Sequence, residues 1–281
     1  MKAEAGRRAY AELGEYSAIR TKELSPILEP LVQVTDSLGE LICEITLILG
    51  KIPPVSERDR VIRDLMADTF DFLVETRPLI LKGKLEIAYP VARRAYESLS
   101  LLVACHLDGS LARRWSAGKQ IGNAEIRRIL GRHPLGEPED RTRELYKFFS
   151  RSTHPNREHM PYRFLGDGNE FTLGAIGRPS LVMLADYSLK LLNLWFWFTS
   201  FVSFVHMEIL ARTNPGFHDT YRKVTTSTEA VAQWLANQFN HLLAEERAEM
   251  AEIRSSAAYR PDAIGAERRT LHRRARSSRD R

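Results

Sequence analysis

The sequence predicts an all-α protein: a helical bundle with one small β-hairpin insertion and a disordered, basic carboxy-terminal tail. Apolar residues recur at spacings of three and four along most of residues 1–254, which is the periodicity of helices. Proline and glycine separate these periodic segments. With 281 residues and 43% hydrophobic content, the chain is long enough to bury a sizeable core, so we predict a single helical domain over residues 1–254.

Three helices are predicted before the first apolar, buried one. Residues 4–23 form a mostly polar helix that ends before Pro26, because a residue preceding proline avoids the α region. Residues 27–50 carry apolar side chains on one face and end in glycine. Ser56 has the chemistry of a helix cap and begins the third helix, which Pro78 is expected to interrupt.

The stretch Tyr89–Leu107 predicts a buried helix that carries charge. From Ala95 onward it is apolar on nearly every side, which is typical of a core helix. It nevertheless contains Arg93, Arg94 and Glu97. Arg94 and Glu97 are one turn apart on one face, so we expect these charges to have partners inside the fold.

A second polar segment follows at Leu145–Asn156, in a helix predicted over about residues 139–154. Tyr146, Ser150 and His154 recur at intervals of four, which places a phenol, a hydroxyl and an imidazole on one side of that helix. The sequence therefore predicts a polar cluster in which Arg94 and Glu97 lie within reach of Ser150 or His154.

The remaining elements are two short helices, a hairpin and two long helices. The short helices span about residues 110–117 and 123–130. Gly-Asp-Gly-Asn, flanked by alternating apolar residues, predicts a β-hairpin within about 161–178. Long apolar periodicities then predict helices over about 180–211 and 217–253.

The first of the long helices contains an aromatic run at Leu191–Met207. The run is shorter than the roughly twenty apolar residues that a membrane span needs, and charged or polar side chains lie within or beside it. We interpret it as a core helix and expect no membrane span. Its aromatic side chains could also contribute to a homodimer surface.

The net charge of +5 belongs to the carboxy terminus. Residues 255–281 hold eight arginines against Asp262, Glu267 and Asp280, a net of +5, so residues 1–254 sum to about zero. Such a tail could bind the phosphates of RNA or an acidic partner, or could act only to keep the protein soluble. Cys43 and Cys105 do not form a disulfide framework, and the amino terminus lacks an apolar signal segment, so we expect a cytoplasmic protein.

The polar cluster has the residue types of a phosphodiester or phosphate-binding site. His154 could act as general acid or base with Glu97 orienting it, Arg94 could stabilise an anion, and Ser150 or Tyr146 could add a hydroxyl. The same side chains could instead form a buried network that holds two helices in register without any ligand. Nucleotide-binding glycine motifs and metal-ligand motifs are absent from the sequence, so no cofactor and no metal are expected.

One family resemblance rests on these residues. The Arg-Arg-x-x-Glu helix, the following short helices with Trp115 and Ile126, and the Tyr-x3-Ser-x3-His-Pro segment resemble uncharacterised bacterial proteins of HEPN-like or abortive-infection-like type, over about residues 85–210. The resemblance implies a helical, metal-independent endoribonuclease acting in stress or phage defence, often as a dimer. HEPN ribonucleases share an Arg-x4–6-His motif, whereas Arg151 lies three residues before His154. The alternative is a non-enzymatic helical scaffold or interaction protein whose polar cluster is structural.

Overall fold

Helices make up almost all of the chain that the structure describes. The computed structural model describes residues 2–132 and 181–255, together with positions 140, 143, 144, 146, 147, 149, 164, 165, 170 and 171. Apart from two strands of two residues each, the regular structure in these residues is helical. The all-α fold class is therefore confirmed.

The helices follow the predicted order, with ends within a few residues of those expected, except at Pro78. The described helices are α1 Lys2–Leu24, α2 Glu29–Leu49, α3 Glu57–Leu81, α4 Leu85–Leu107, α5 Gly109–Ser116, α6 Asn123–Arg132, α7 Leu181–Thr213 and α8 Phe217–Ser255. The described positions from 140 to 149 are also helical and lie in the helix predicted over about 139–154.

Local side-chain and backbone chemistry sets several of these ends. The Ser56 hydroxyl accepts a hydrogen bond from the backbone N–H of Asp59 at 3.1 Å and caps α3, as the sequence predicts. Asp108 caps α5 by accepting from the N–H of Ser110 at 2.9 Å and from its hydroxyl at 2.7 Å. These hydrogen bonds lower the pKa of Asp108. Gly83, with φ of 68°, forms the turn between α3 and α4.

The predicted interruption at Pro78 is wrong, because α3 continues through it to Leu81. The proline removes one backbone donor, but the ladder resumes at once, with the N–H of Lys82 bonded to the Pro78 carbonyl at 3.0 Å. Ile80 in this last turn is 2% exposed. Burying its side chain favours the helical path and offsets the loss of one hydrogen bond.

The core lies where α3, α4 and α7 meet α2. The three-residue turn between α3 and α4 makes them an antiparallel hairpin, and α7 packs against both and against α2. Gly39 of α2 faces α7, and a Cβ added there would lie 3.7 Å from the Trp195 ring, which is an ordinary van der Waals contact. The most completely buried side chains include Leu38, Ile45, Leu73, Leu99, Leu102 and Phe198.

Among the described residues, α7 is the helix long and apolar enough to cross a membrane. Fourteen of its residues are buried in the protein, including Leu192, Trp195, Phe198 and Val202, while Phe204 is 55% exposed. Trp195 also meets Phe70 of α3 edge-on, with ring centroids 5.8 Å apart. These contacts are those of a core helix, as the sequence interpretation expects.

Three finer sequence predictions stay predictions. The strands β1 Phe164–Leu165 and β2 Glu170–Phe171 pair antiparallel, but the rest of the hairpin at 161–178 lies outside the described residues. Nearly all of the 255–281 tail does as well. The chain separates into two compact units, Met1–Ala236 and Asn237–Arg281, and the division falls inside α8. This division does not test the prediction of a single domain over residues 1–254.

His206 is a buried titratable group near the end of α7. Its side chain is 5% exposed, and its Nε2 has no hydrogen-bond partner in the described part of the chain. Burial lowers the pKa of His206, and the nearby charges of Arg63 and His106 act in the same direction, whereas Asp59 acts against them. The folded protein therefore holds this imidazole neutral.

Acidification is expected to destabilise the fold through His206. Because the pKa of His206 is lower in the folded chain than in the unfolded chain, the unfolded state binds the proton first as the pH falls below about 6.5. The free energy of unfolding then decreases by at most about 1.4 kcal/mol per pH unit from this group. Urea unfolding of wild type and His206→Gln between pH 5 and 7.5 measures this. An identical slope in both proteins would contradict the assignment.

Candidate functional site

Glu97 is held by two donors from two helices. The Arg93 Nε donates to Glu97 Oε1 at 2.9 Å, and the Asn123 Nδ2 donates to the same oxygen at 3.3 Å. The side chains of Arg93 and Glu97 are 22% and 24% exposed. Glu97 therefore pairs with Arg93, four residues before it, and links α4 to the first residue of α6.

Tyr146 extends this network to the segment after α6. The Arg93 Nη2 donates to the Tyr146 hydroxyl at 3.2 Å. The guanidinium groups of Arg93 and Arg127 lie 5.2 Å and 4.8 Å from the centre of its ring. Such cation–π contacts add to the hydrogen bond, so Tyr146 connects α4 and α6. We call the side chains of Arg93, Glu97, Asn123, Arg127 and Tyr146 the α4–α6 network.

Phe149 anchors the same segment in the core. It is 2% exposed and stacks on Tyr96 of α4 with ring centroids 5.4 Å apart. Tyr89, two helical turns before Tyr96 in α4, has its ring centroid 5.9 Å from that of Phe149. The two helical segments that carry the predicted site residues therefore pack against each other. Ser150 and His154 lie outside the described residues, so their predicted contact with Arg94 or Glu97 stays a prediction.

Arg94 belongs to a different set of contacts. Its Nη2 lies 3.2 Å from Asp68 Oδ2 of α3, and the Ser98 hydroxyl donates to that same oxygen. The Arg94 guanidinium also lies 5.6 Å from the centre of the Phe72 ring. Its side chain is 53% exposed, so Arg94 is open to solvent while still paired. Arg94 and Glu97 share a helix but not a partner.

A cleft of about 460 Å³ brings both sets of contacts to one surface. It lies between the hairpin of α3 and α4 on one side and α5, α6 and the turn between them on the other. Its lining residues are Asp64, Leu65, Asp68, Arg94, Glu97, Ser98, Leu101, Trp115, Gln120, Ile121, Asn123 and Ile126. Two predicted site residues, Arg94 and Glu97, are thus placed in one solvent-accessible cleft.

An ion pair fixes the far wall of the cleft. Arg114 of α5 donates to both carboxylate oxygens of Glu125 in α6, at 2.6 Å and 3.1 Å. The hydrogen bonds lower the pKa of Glu125 and raise that of Arg114. This bidentate pair holds the two short helices together, and with them Trp115 and Ile126 of the cleft lining.

Sequence reasoning missed the α3 side of the cleft. Asp64 and Asp68 are four residues apart in an amphipathic helix, where carboxylates are expected simply to face solvent. Asn123 and Gln120 lie at and before the start of a short helix and carry no motif. Only the i, i+4 spacing of Asp64 and Asp68 could have indicated a shared face.

Metal binding finds no support in these side chains. Among residues 2–132, 181–255 and the described positions between them, no group of three or more His, Cys, Asp or Glu side chains could hold a metal ion. Of the two cysteines, Cys43 is exposed, whereas burial raises the pKa of the Cys105 thiol to about 12. Cys105 is therefore a core residue with an unreactive thiol.

Comparison with known proteins identifies no relative. No family model, no curated protein and no solved structure matches this chain.

Proposed function

We propose that this chain is a non-enzymatic helical interaction protein. In this proposal the α4–α6 network is structural, and the adjacent cleft receives a group from a ligand or partner. The observation that supports it is the pairing of the charged candidates: Glu97 with Arg93 and Asn123, and Arg94 with Asp68. The cleft beside these pairs is nevertheless open enough to hold a small molecule.

Pairing of this kind favours stability over catalysis. A catalytic Glu97 would have to orient His154, but its Oε1 already accepts two hydrogen bonds from Arg93 and Asn123. Arg93 is divided between the Glu97 carboxylate and the Tyr146 hydroxyl and ring. The hydrogen bonds from Arg93 to Tyr146 and from Asn123 to Glu97 connect elements far apart in sequence, which is the role of a packing network.

Metal-independent RNA cleavage is the second candidate. It is favoured by one observation, the half-exposed Arg94 guanidinium in a cleft of nucleotide size. His154 would then be the general acid or base, with Glu97, Ser150 and Tyr146 as supporting groups. The charge of the cleft argues against it, because Asp68 already pairs with Arg94, and the carboxylates of Asp64 and Glu97 line the same cleft and disfavour phosphate. An RNA or acidic partner for the Arg-rich tail, a homodimer and a cytoplasmic location likewise remain proposals.

Glu97→Gln separates the two candidates. We expect neither wild type nor variant to cleave total RNA in EDTA. We also expect the variant to melt lower by about 2–4 °C, the effect of losing roughly 1 kcal/mol in a chain of this size. Exposed Glu75 of α3 offers the matched control, and Glu75→Gln should melt like wild type. The proposal is wrong if wild-type protein cleaves RNA and Glu97→Gln abolishes cleavage at an unchanged melting temperature.

A further inference from the structure

The cleft between α3, α4 and α6 combines acidic side chains with an apolar, aromatic wall. We propose that it binds an organic cation, namely an ammonium or guanidinium group on an apolar stem. A free aliphatic polyamine and a lysine or arginine side chain of a partner protein both have this chemistry. The inference rests on the proposed function, since it names the class of group that the cleft receives.

The charge of the lining points to a cation. Three carboxylates, those of Asp64, Asp68 and Glu97, face one guanidinium, that of Arg94, which leaves the lining with a net charge of −2. Arg93 does not line the cleft, but its Nε lies 2.9 Å from Glu97 Oε1 and offsets that carboxylate, so the surplus negative charge is that of Asp64. The electrostatic field of the lining would therefore stabilise a bound cation and destabilise a bound anion.

Asp64 supplies the carboxylate that is not already engaged. Asp68 accepts from Ser98 and pairs with Arg94, and Glu97 accepts from Arg93 and Asn123. Asp64 is exposed, and its carboxylate has no hydrogen bond or ion pair with the residues that the structure describes. A ligand ammonium at Asp64 would form a charge-assisted hydrogen bond without breaking an existing one.

The remaining lining suits the stem of such a cation. Besides the charged residues and the polar Ser98, Gln120 and Asn123, the wall contains five apolar residues: Leu65, Leu101, Trp115, Ile121 and Ile126. An alkyl chain gains free energy by packing against such side chains, as lysine stems do on protein surfaces. Half-buried Trp115 adds an indole side chain to the lining, and indole is the best of the aromatic side chains at attracting a cation.

Size and rigidity also fit a small ligand. The cleft volume of about 460 Å³ lies within the range of about 300–1,000 Å³ that is usual for small-molecule sites. Its walls are held by contacts inside the protein: the packing of α3 on α4 and the bidentate pair of Arg114 with Glu125. A preformed cleft needs little ordering when a ligand binds.

Calorimetric titration of the full chain tests this inference with four probes. These are spermidine, a capped tripeptide with a central lysine, the uncharged 1,8-octanediol, and AMP as the anion. We expect an amine to bind, and octanediol and AMP to bind at least tenfold more weakly. Asp64→Asn should weaken amine binding by about fivefold, the effect of one partly exposed ion pair. Asp71→Asn is the matched control, because it removes an exposed carboxylate of the same helix that does not line the cleft.

The titrations distinguish the two sources of the cation. Tighter binding of spermidine supports a free amine as ligand, and tighter binding of the peptide supports a partner side chain. The inference is overturned if neither amine binds, if Asp71→Asn weakens binding as much as Asp64→Asn, or if AMP binds more tightly than the amines. A chain that cleaves no RNA and binds no amine keeps the proposed function and loses this inference, whereas RNA cleavage that depends on Glu97 removes the proposed function itself.

Discussion

Replacing Phe198 by alanine is expected to lower the free energy of unfolding by about 3–5 kcal/mol. The Phe198 side chain is fully buried in α7, the helix that packs on α2, α3 and α4. Its removal takes away the transfer free energy of the ring and leaves a cavity that the surrounding helices fill only in part. Urea unfolding followed by far-UV circular dichroism measures the loss.

Phe204 provides the matched control, since it is the same residue type in the same helix but 55% exposed. Phe204→Ala should cost less than about 1 kcal/mol, because the exposed side chain loses little burial. Equal, small losses from both substitutions would contradict the placement of α7 in the core. They would reopen the interpretation of this apolar helix as a membrane span.

Arg93→Met should lower the free energy of unfolding by about 2 kcal/mol, in line with hydrogen bonds that involve a charged group. The substitution keeps much of the stem but removes the donors to Glu97 Oε1 and to the Tyr146 hydroxyl. It also removes one of the two guanidinium groups over the Tyr146 ring. The measurement is the same urea unfolding at pH 7.

The neighbouring Arg94 is the control for charge and helix position. Its side chain is 53% exposed and pairs with an Asp68 side chain that is 33% exposed, so solvent screens the pair. Arg94→Met should therefore cost less than about 1 kcal/mol. A loss at Arg94 equal to the loss at Arg93 would show that stability does not depend on the α4–α6 network in particular.

Much of the helical order could be predicted from the sequence, because local chemistry sets it. The cap at Ser56 and the turn at Gly83 depend on residue types that act within a few positions. The course of α3 through Pro78 could not be predicted in this way. It depends on the burial of Ile80, which is a tertiary effect.

The composition of α7 predicts a core helix but not which aromatic residues face the core. Successive residues point about 100° apart around a helix, so adjacent aromatic side chains cannot all be buried on one side. The structure buries Trp195 and Phe198, half-buries Phe196, Trp197 and Phe201, and exposes Phe204. This selection depends on how α2, α3 and α4 pack on α7, which periodicity does not reveal.

The sequence does not predict which arginine pairs with Glu97, because two arginines lie close enough to it along the helix. Arg93 and Arg94 are both within one turn of Glu97. Asp68 of α3, twenty-six residues before Arg94, forms an ion pair with Arg94. Arg93 is the arginine that pairs with Glu97. Only the packing of α3 on α4 decides between the two arginines.

A double-mutant cycle between Arg93 and Tyr146 tests the structural role of the α4–α6 network most directly. It compares the unfolding free energies of wild type, Arg93→Met, Tyr146→Leu and the double variant. Because the two side chains are in contact at 3.2 Å, we expect a coupling free energy of about 1–2 kcal/mol. A coupling below about 0.3 kcal/mol, which is the additivity expected of independent sites, would contradict the structural assignment of the network.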